Sequence, residues 1–260
     1  MKKARLTILG TGTSTGVPQV KCDCRVCRST DPRDRRMRSS ALLEIEEGPT
    51  LLIDATPDLR TQLLSVGSPD LDAVLITHSH YDHVGGLDDL RPYCIGNDEG
   101  FPLVCKGDVE ADLRARIPYC FREKPSPRVP RFTIVNAEPL QPLSVAGVEV
   151  LPLPIIHAGP QILAYRIGAF GYVTDCKEMP AETLEALKGV DTLVINALRH
   201  TPHPTHMNLR QAIDVIQEIA PRKALLTHLS HGIGLHAEAM RLLPDGVTLA
   251  SDGLAIDVSV

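Results

Sequence analysis

Short apolar runs, each closed by a polar residue, Gly or Pro, set the rhythm of this 260-residue chain. Runs of four to eight residues rich in Val, Ile and Leu, bounded by turn residues, read as buried strands. They fall at residues 5–9, 73–76, 102–106, 132–135, 148–156, 162–167, 171–174, 192–195, 223–227, 247–250 and 254–258. Residues 41–46 and 50–54 form a hairpin around Glu47-Gly48-Pro49. Helical spacing appears at 88–94, 109–116, 180–187, 209–219 and 237–243, with Leu184 and Leu187 on one face. A further helix should start at Thr56-Pro57, with Thr56 as N-cap and Pro57 as first helical residue, and run to Ser65. Residues 118–131 carry four prolines and read as an irregular excursion, a flap near any site. Strands open the chain, and strand–helix alternation returns after the Pro-rich stretch. That order predicts an α/β (α+β) protein with two sheets sandwiched between helices.

Composition adds constraints. The length suffices for a substantial core, and with no Trp and 3% aromatics that core must rest on Leu, Ile, Val and Ala. No repeat or low-complexity linker interrupts the chain, so residues 1–260 read as one domain. A net charge of −5 gives no global argument for nucleic-acid binding. The opening apolar run, Leu6 to Gly10, is too short for a signal peptide or a membrane span, so a cytoplasmic protein with no membrane partner is expected. Seven cysteines, three of them crowded near the N-terminus, do not make a disulfide framework. A homodimer is compatible with all of this.

The chemistry concentrates in Thr77-His78-Ser79-His80-Tyr81-Asp82-His83, directly after the strand at 73–76. Imidazole and carboxylate suit zinc, iron or manganese. His78 and His80 are two apart, so an extended segment points both to one side. Asp82 and His83 can face a second point about one helical turn on. Other strands end alike: Asp175 follows Thr174, His228 follows Thr227, and His157 follows Ile156. If these ends share a rim, it carries His78, His80, Asp82, His83, His157, Asp175 and His228. One zinc takes four ligands, so seven suit two metals joined by a carboxylate.

The ordered set His78-x-His80-x-Asp82-His83, His157, Asp175 and His228 resembles the metallo-β-lactamase superfamily. The resemblance implies an αββα sandwich and a dinuclear centre of zinc or manganese. His78, His80 and His157 would hold one metal, Asp82, His83 and His228 the other, and Asp175 would bridge. The loop Leu9-Gly10-Thr11-Gly12-Thr13-Ser14-Thr15-Gly16-Val17-Pro18 resembles one shared by tRNA 3′-processing nucleases and the PhnP family of cyclic phosphodiesterases. Read by itself, it lacks the Lys-Ser/Thr of a P-loop and looks like a tight loop needing positive φ. Cys22-x-Cys24-x2-Cys27, the His206-Met207-Asn208-Leu209 segment and Leu226-Thr227-His228-Leu229-Ser230-His231 resemble the PhnP family. Residues 94–132 match no pattern of that family.

The PhnP resemblance implies hydrolysis of phosphoribosyl 1,2-cyclic phosphate to ribose 1,5-bisphosphate by metal-activated hydroxide. The substrate would be a small phosphorylated sugar, with nucleic acid not expected. His206 matches the family's general acid, and Asp82 joins it as a catalytic residue while serving as a ligand. His200 and His203 share the same loop, where structural and functional roles weigh about equally. A tRNA-end nuclease would need an RNA-clamping arm, for which 118–131 is short. A thioesterase or lactonase would use the same scaffold, whereas a non-catalytic metal sensor would not need the complete ligand set.

Cys22, Cys24 and Cys27 are one ligand short of a structural zinc site, for which Cys₃His is a standard set. His231, three residues after His228, can supply the fourth ligand while pointing away from the catalytic rim. Such a zinc would pin a loop over about residues 11–38. Residues 21–38 of it carry seven Lys/Arg against three Asp, which suits either an anionic substrate or a solvated loop.

Overall fold

The computed structural model describes residues 2–97, 99–122 and 128–260. β1 (Lys3–Gly10), β2 (Ser40–Ile45) and β3 (Thr50–Ile53) form an antiparallel meander. α1 (Leu59–Ser65) crosses to β4 (Ala73–Leu75), parallel to β3. α2 (Tyr81–Val84), one turn long, and α3 (Arg91–Cys94) precede β5 (Phe101–Cys105), and α4 (Gly107–Arg116) precedes β6 (Phe132–Asn136). Both strands continue the parallel set. The second half follows the same plan. β7 (Leu143–Val145), β8 (Val148–Ile156), β9 (Gln161–Ile167) and β10 (Phe170–Val173) are antiparallel. α5 (Ala181–Leu187), β11 (Thr192–Asn196), α6 (Leu209–Ile219), β12 (Lys223–Thr227), α7 (His236–Ala239) and β13 (Val247–Leu249) extend it in parallel. β14 (Ala255–Ser259) returns beside β1.

The result is two seven-stranded mixed sheets, ordered β14-β1-β2-β3-β4-β5-β6 and β13-β12-β11-β10-β9-β8-β7. Alternation along the strands assigns each side chain to a layer. Leu43, Leu51 and Leu75 meet Leu163, Tyr165 and Val194 between the sheets. Leu42, Leu52 and Val74 pack outward under Leu59 and Leu63 of α1. Leu193, Ile195 and Leu226 pack outward under Leu187, Ala212 and Ile216 of α5 and α6. Burial on both faces explains the continuous apolar runs of the sequence. The expected αββα sandwich is therefore the observed one. No helix among the described residues is long and apolar enough to cross a membrane.

The sheets are tied together where β4 ends. Tyr165 Oη donates to the carbonyl of Ile76 at 2.6 Å, and Leu163 N donates to that of Thr77 at 3.0 Å. Residues 77–83 thus leave one sheet already hydrogen-bonded to the other.

Several elements depart from the sequence reading for local reasons. α1 starts at Leu59, not Pro57. Thr56 Oγ1 accepts from Asp58 N and donates to Gln62 Oε1, while the Asp58 carboxylate is taken by Arg38. The expected helix at 88–94 divides into a 3₁₀ turn, Leu87–Leu90, and α3, with Pro92 in the first turn of the latter. α7 ends at Ala239 and continues only as a 3₁₀ turn, Met240–Leu242. β7 was absent from the sequence reading, because three residues with two apolar positions carry almost no periodicity. The flap expected at 118–131 falls partly outside the described residues. Its start, the 3₁₀ turn Pro118–Phe121, packs on the outer layer of the first sheet, with Phe121 against Phe132.

The glycine-rich loop needs its glycines mainly for space. Only Gly16 among its three glycines has positive φ, 63°. A Cβ on Gly10 would stand 2.0 Å from the carbonyl oxygen of Arg38, and one on Gly12 2.8 Å from that of Arg36. Gly10→Ala must therefore displace backbone, and should cost ~1–3 kcal/mol. Urea unfolding checks this; an unchanged midpoint contradicts the close-approach account.

Candidate metal centre

The strand ends converge on one rim. The donor atoms of His78, His80 and His157 all lie within 4.8 Å of one another, and those of Asp82, His83, Asp175 and His228 do the same. A third such set joins His157, Asp175 and His206. All eight sequence-derived rim residues, His206 included, are thus brought together. α2 starts right after His80, so Asp82 and His83 lie on its one turn while His78 and His80 precede it, and the His78 and His83 rings still meet at 4.2 Å between centroids.

Asp175 is the common member. Its Oδ1 lies 3.2 Å from His83 Nε2 and 3.2 Å from His228 Nδ1. Its Oδ2 lies 2.9 Å from His206 Nε2 and 4.0 Å from His78 Nε2. His206 also stacks on His228, with ring centroids 4.9 Å apart.

The far sides of the His83, His78, His157 and His228 rings are held by hydrogen bonds. Asp54, fully buried at the end of β3, lies 2.7 Å from His83 Nδ1 and accepts from both N and Oγ1 of Thr77. Thr77 Oγ1 in turn meets His78 Nδ1 at 3.1 Å. His157 Nδ1 donates to the carbonyls of Asp175 and Thr205, and His228 Nε2 meets Thr13 Oγ1 at 3.1 Å. Partners of this kind set tautomer and ring orientation. Sequence reasoning missed Asp54, Thr77 and Thr13. Asp54 carried the signal that found the others, a polar residue closing the apolar strand Leu51-Leu52-Ile53. Asp54, Asp175 and His228 also share left-handed backbone, with φ of 61°, 58° and 53°. Such a conformation costs on the order of 1–3 kcal/mol outside glycine and persists where surroundings impose it.

The near side of these rings is what fits a metal. His78 Nε2, His83 Nε2 and His228 Nδ1 are buried and make no hydrogen bond. A buried polar atom without a partner is costly, and three aimed at one carboxylate suit a cation between them. Burial pushes His78 well below the usual imidazole range and His228 down to about 4. Both therefore offer lone pairs. Burial opposes ionisation of Asp175, but His228 and His83 outweigh it and hold the carboxyl well below its usual range. Burial would also lower His83, yet Asp175, Asp82 and Asp54 together hold its proton well above the usual range.

A second cluster lies beside the first. His231 Nδ1 is 3.2 Å from Cys22 Sγ, 3.4 Å from Cys27 Sγ and 3.7 Å from Cys24 Sγ. Tetrahedral zinc with ordinary Zn–S and Zn–N bonds places such atoms roughly 3.5 Å apart. Backbone N–H groups of Gln19 and Cys27 point at the sulfurs of Cys27 and Cys24. The set suits a structural zinc. Between the clusters, the glycine-rich loop joins the His228–His231 turn. Leu229 N donates to Thr11 O at 2.8 Å, and Thr13 N to Leu229 O at 3.1 Å.

Comparisons with known proteins agree with the fold. A family model for the beta-lactamase superfamily domain matches residues 50–229. A crystal structure described as a new diphosphatase from the PhnP family is 38% identical, with a TM-score of 0.91, covering 98% of this chain and 97% of that one. The chain belongs to the metallo-β-lactamase superfamily and, within it, to the PhnP family. The octanoyltransferase of Porphyromonas gingivalis is 44% identical over 251 residues, 96% of this chain and 51% of that protein. The chain thus spans about half the length of that relative. Zn²⁺-bound PqqB from Methylobacterium extorquens shares the fold, with a TM-score of 0.80 at 19% identity over 98% of this chain and all of that one.

Two outcomes follow. Asp175, Asp82 and Asp54 favour positive charge on His83, and a divalent cation at its Nε2, which Asp82 and Asp175 face, would take that charge's place. Metal uptake should therefore release protons, and apparent affinity should rise with pH. Calorimetry in buffers of differing ionisation enthalpy reads the release; none at neutral pH contradicts the assignment. Cys24→Ser should lose about one zinc per chain, read by native mass spectrometry, and lower thermal stability. Unchanged zinc content removes the structural site.

Proposed function

We propose that this chain is a metal-dependent hydrolase that cleaves a P–O bond in a small phosphorylated sugar, with a cyclic phosphodiester as the preferred class. The observation that carries this reading is Asp175, one carboxylate facing both histidine groups and His206. Likeness to a PhnP-family diphosphatase over nearly the whole chain supports chemistry at phosphorus.

In this reading His78, His80 and His157 would hold one metal, Asp82, His83 and His228 the other, and Asp175 would face both. Such a pair, when bound, makes water a nucleophile near neutral pH and neutralises phosphoryl oxygens. The chain's own residues do the rest. Asp54 and Thr77 keep His83 and His78 aimed inward. His206 keeps Nε2 at the rim because Thr205 Oγ1 engages its Nδ1 at 2.7 Å. There it can hand a proton to the departing alkoxide, as general acids do. A PhnP-family diphosphatase also makes a diphosphate a substrate to test.

Acyl transfer through a thiol has little support. Cys176, next to Asp175, is buried, and burial pushes its thiol up to about 12. A thiol held neutral in this way is a poor nucleophile. The octanoyltransferase name is that of a protein about twice this chain's length, and we assign no such transfer to this chain.

The metal-loaded protein should hydrolyse bis(p-nitrophenyl) phosphate and a ribose 1,2-cyclic phosphate, and leave octanoyl thioesters intact. His206→Ala should slow the ribose ester ~10²–10⁴-fold and the p-nitrophenyl ester far less, since p-nitrophenolate leaves without a proton. Equal losses on both would remove His206 as the acid. Thioester hydrolysis without phosphoric ester hydrolysis would overturn the proposal.

A further inference from the structure

The two sides of the rim differ in how their charges are paired. On one side a cleft of about 250 Å³ opens beside His78, His80 and His157, and Asp108 and Asp112 line it. Lys106 is bound to Asp108 and to the carbonyl of Gln161, and Arg116 to Asp112 and to the carbonyl of Ser79. Ser79 Oγ donates to Asp112. That wall offers carboxylates already paired with cations, which can still accept hydrogen bonds from sugar hydroxyls.

The other side, beside His206, is cationic. Lys177 Nζ donates to the carbonyl of His203 at 2.8 Å. Arg199 Nη2 donates to the carbonyl of Pro202 at 2.9 Å, and its Nε to that of Thr201 at 3.3 Å. Arg199 and Lys177 thus bond the successive carbonyls of Thr201, Pro202 and His203 in one loop. The His203 ring lies 5.2 Å from that of His206. Burial lowers the basicity of His203, and the nearby His206, Arg199 and Lys177 lower it further. Neither Lys177 nor Arg199 has an ion-pair partner among the described residues. An ammonium has three donors and a guanidinium five, so both keep N–H groups to spare. An Arg fork beside a Lys charge suits phosphate.

We propose that Lys177 and Arg199 form an anion subsite that takes a second phosphate of the substrate and so orients it across the metal pair. The phosphate end lies against residues 199–206, and the sugar hydroxyls lie toward Asp108 and Asp112. This assignment rests on the hydrolase reading above and adds which end of the substrate goes where. It also gives the loop of His200, His203 and His206 a joint role, since the segment that presents His206 carries the subsite.

The test is calorimetric binding of ribose 1,5-bisphosphate and ribose 1-phosphate to the zinc-loaded chain. Charge-assisted hydrogen bonds to one extra phosphate should favour the bisphosphate by about tenfold or more. Lys177→Met with Arg199→Met should bring that preference close to one, while Lys177→Arg keeps most of it. Asp112→Asn, on the opposite wall, should not reduce it. If the double variant fails to fold by circular dichroism, the single Gln variants carry the same test with smaller drops. A wild-type chain without the preference overturns the subsite. So does a double variant that keeps it, or an Asp112→Asn variant that loses it as fully. A wild-type chain that shows the preference but hydrolyses no phosphoric ester keeps the subsite and overturns the hydrolase reading instead.

Discussion

One buried carboxylate has to satisfy four histidines. Asp175 faces His83 and His228 through one oxygen and His206 and His78 through the other. Left alone, three of these rings would bury a polar nitrogen with no partner, which folding does not tolerate cheaply. The arrangement is consistent only if positive charge sits among them. Asp175, Asp82 and Asp54 favour positive charge on His83 in the chain by itself, and divalent cations would take its place. Metal binding and correct packing of the rim are in this sense the same requirement.

The architecture supplies that carboxylate and its partners from separate strands. Asp54, His78, Asp175 and His228 each follow an apolar strand, and three of them turn out of it through left-handed backbone. Such a turn lifts the side chain off the sheet and onto the rim. The layers behind the strands are tightly packed aliphatic side chains, and Tyr165 and Leu163 bind the two sheets at the rim itself. The glycine-rich loop closes the other side through Thr11 and Thr13. The Cys₃His cluster holds the far end of that loop three residues beyond His228.

Much of this was legible in the sequence, and the reasons differ by element. Strands buried on both faces announce themselves as unbroken apolar runs, so the two-sheet sandwich followed from pattern. Rim residues were legible because a polar residue closing such a run stands out. His157 and His228 were found this way, and Asp54 could have been. The orienting hydroxyls of Thr13 and Thr77 were not legible, because their meaning lies in contacts between segments distant in sequence. The start of α1 was misplaced because Asp58, its natural cap, is drawn off by Arg38. The loop glycines were assigned to turn geometry when two of them serve close approach to residues 36–38. Which cations beside the rim find an ion-pair partner likewise depends on which loops fold against which side.

The central claim is that Asp175 joins two metal positions into one centre. Electron paramagnetic resonance of the chain loaded with two equivalents of Mn²⁺ tests it directly. The account predicts an exchange-coupled pair in the wild-type chain and isolated Mn²⁺ signals in Asp175→Ala. Isolated signals from the fully loaded wild-type chain would contradict it.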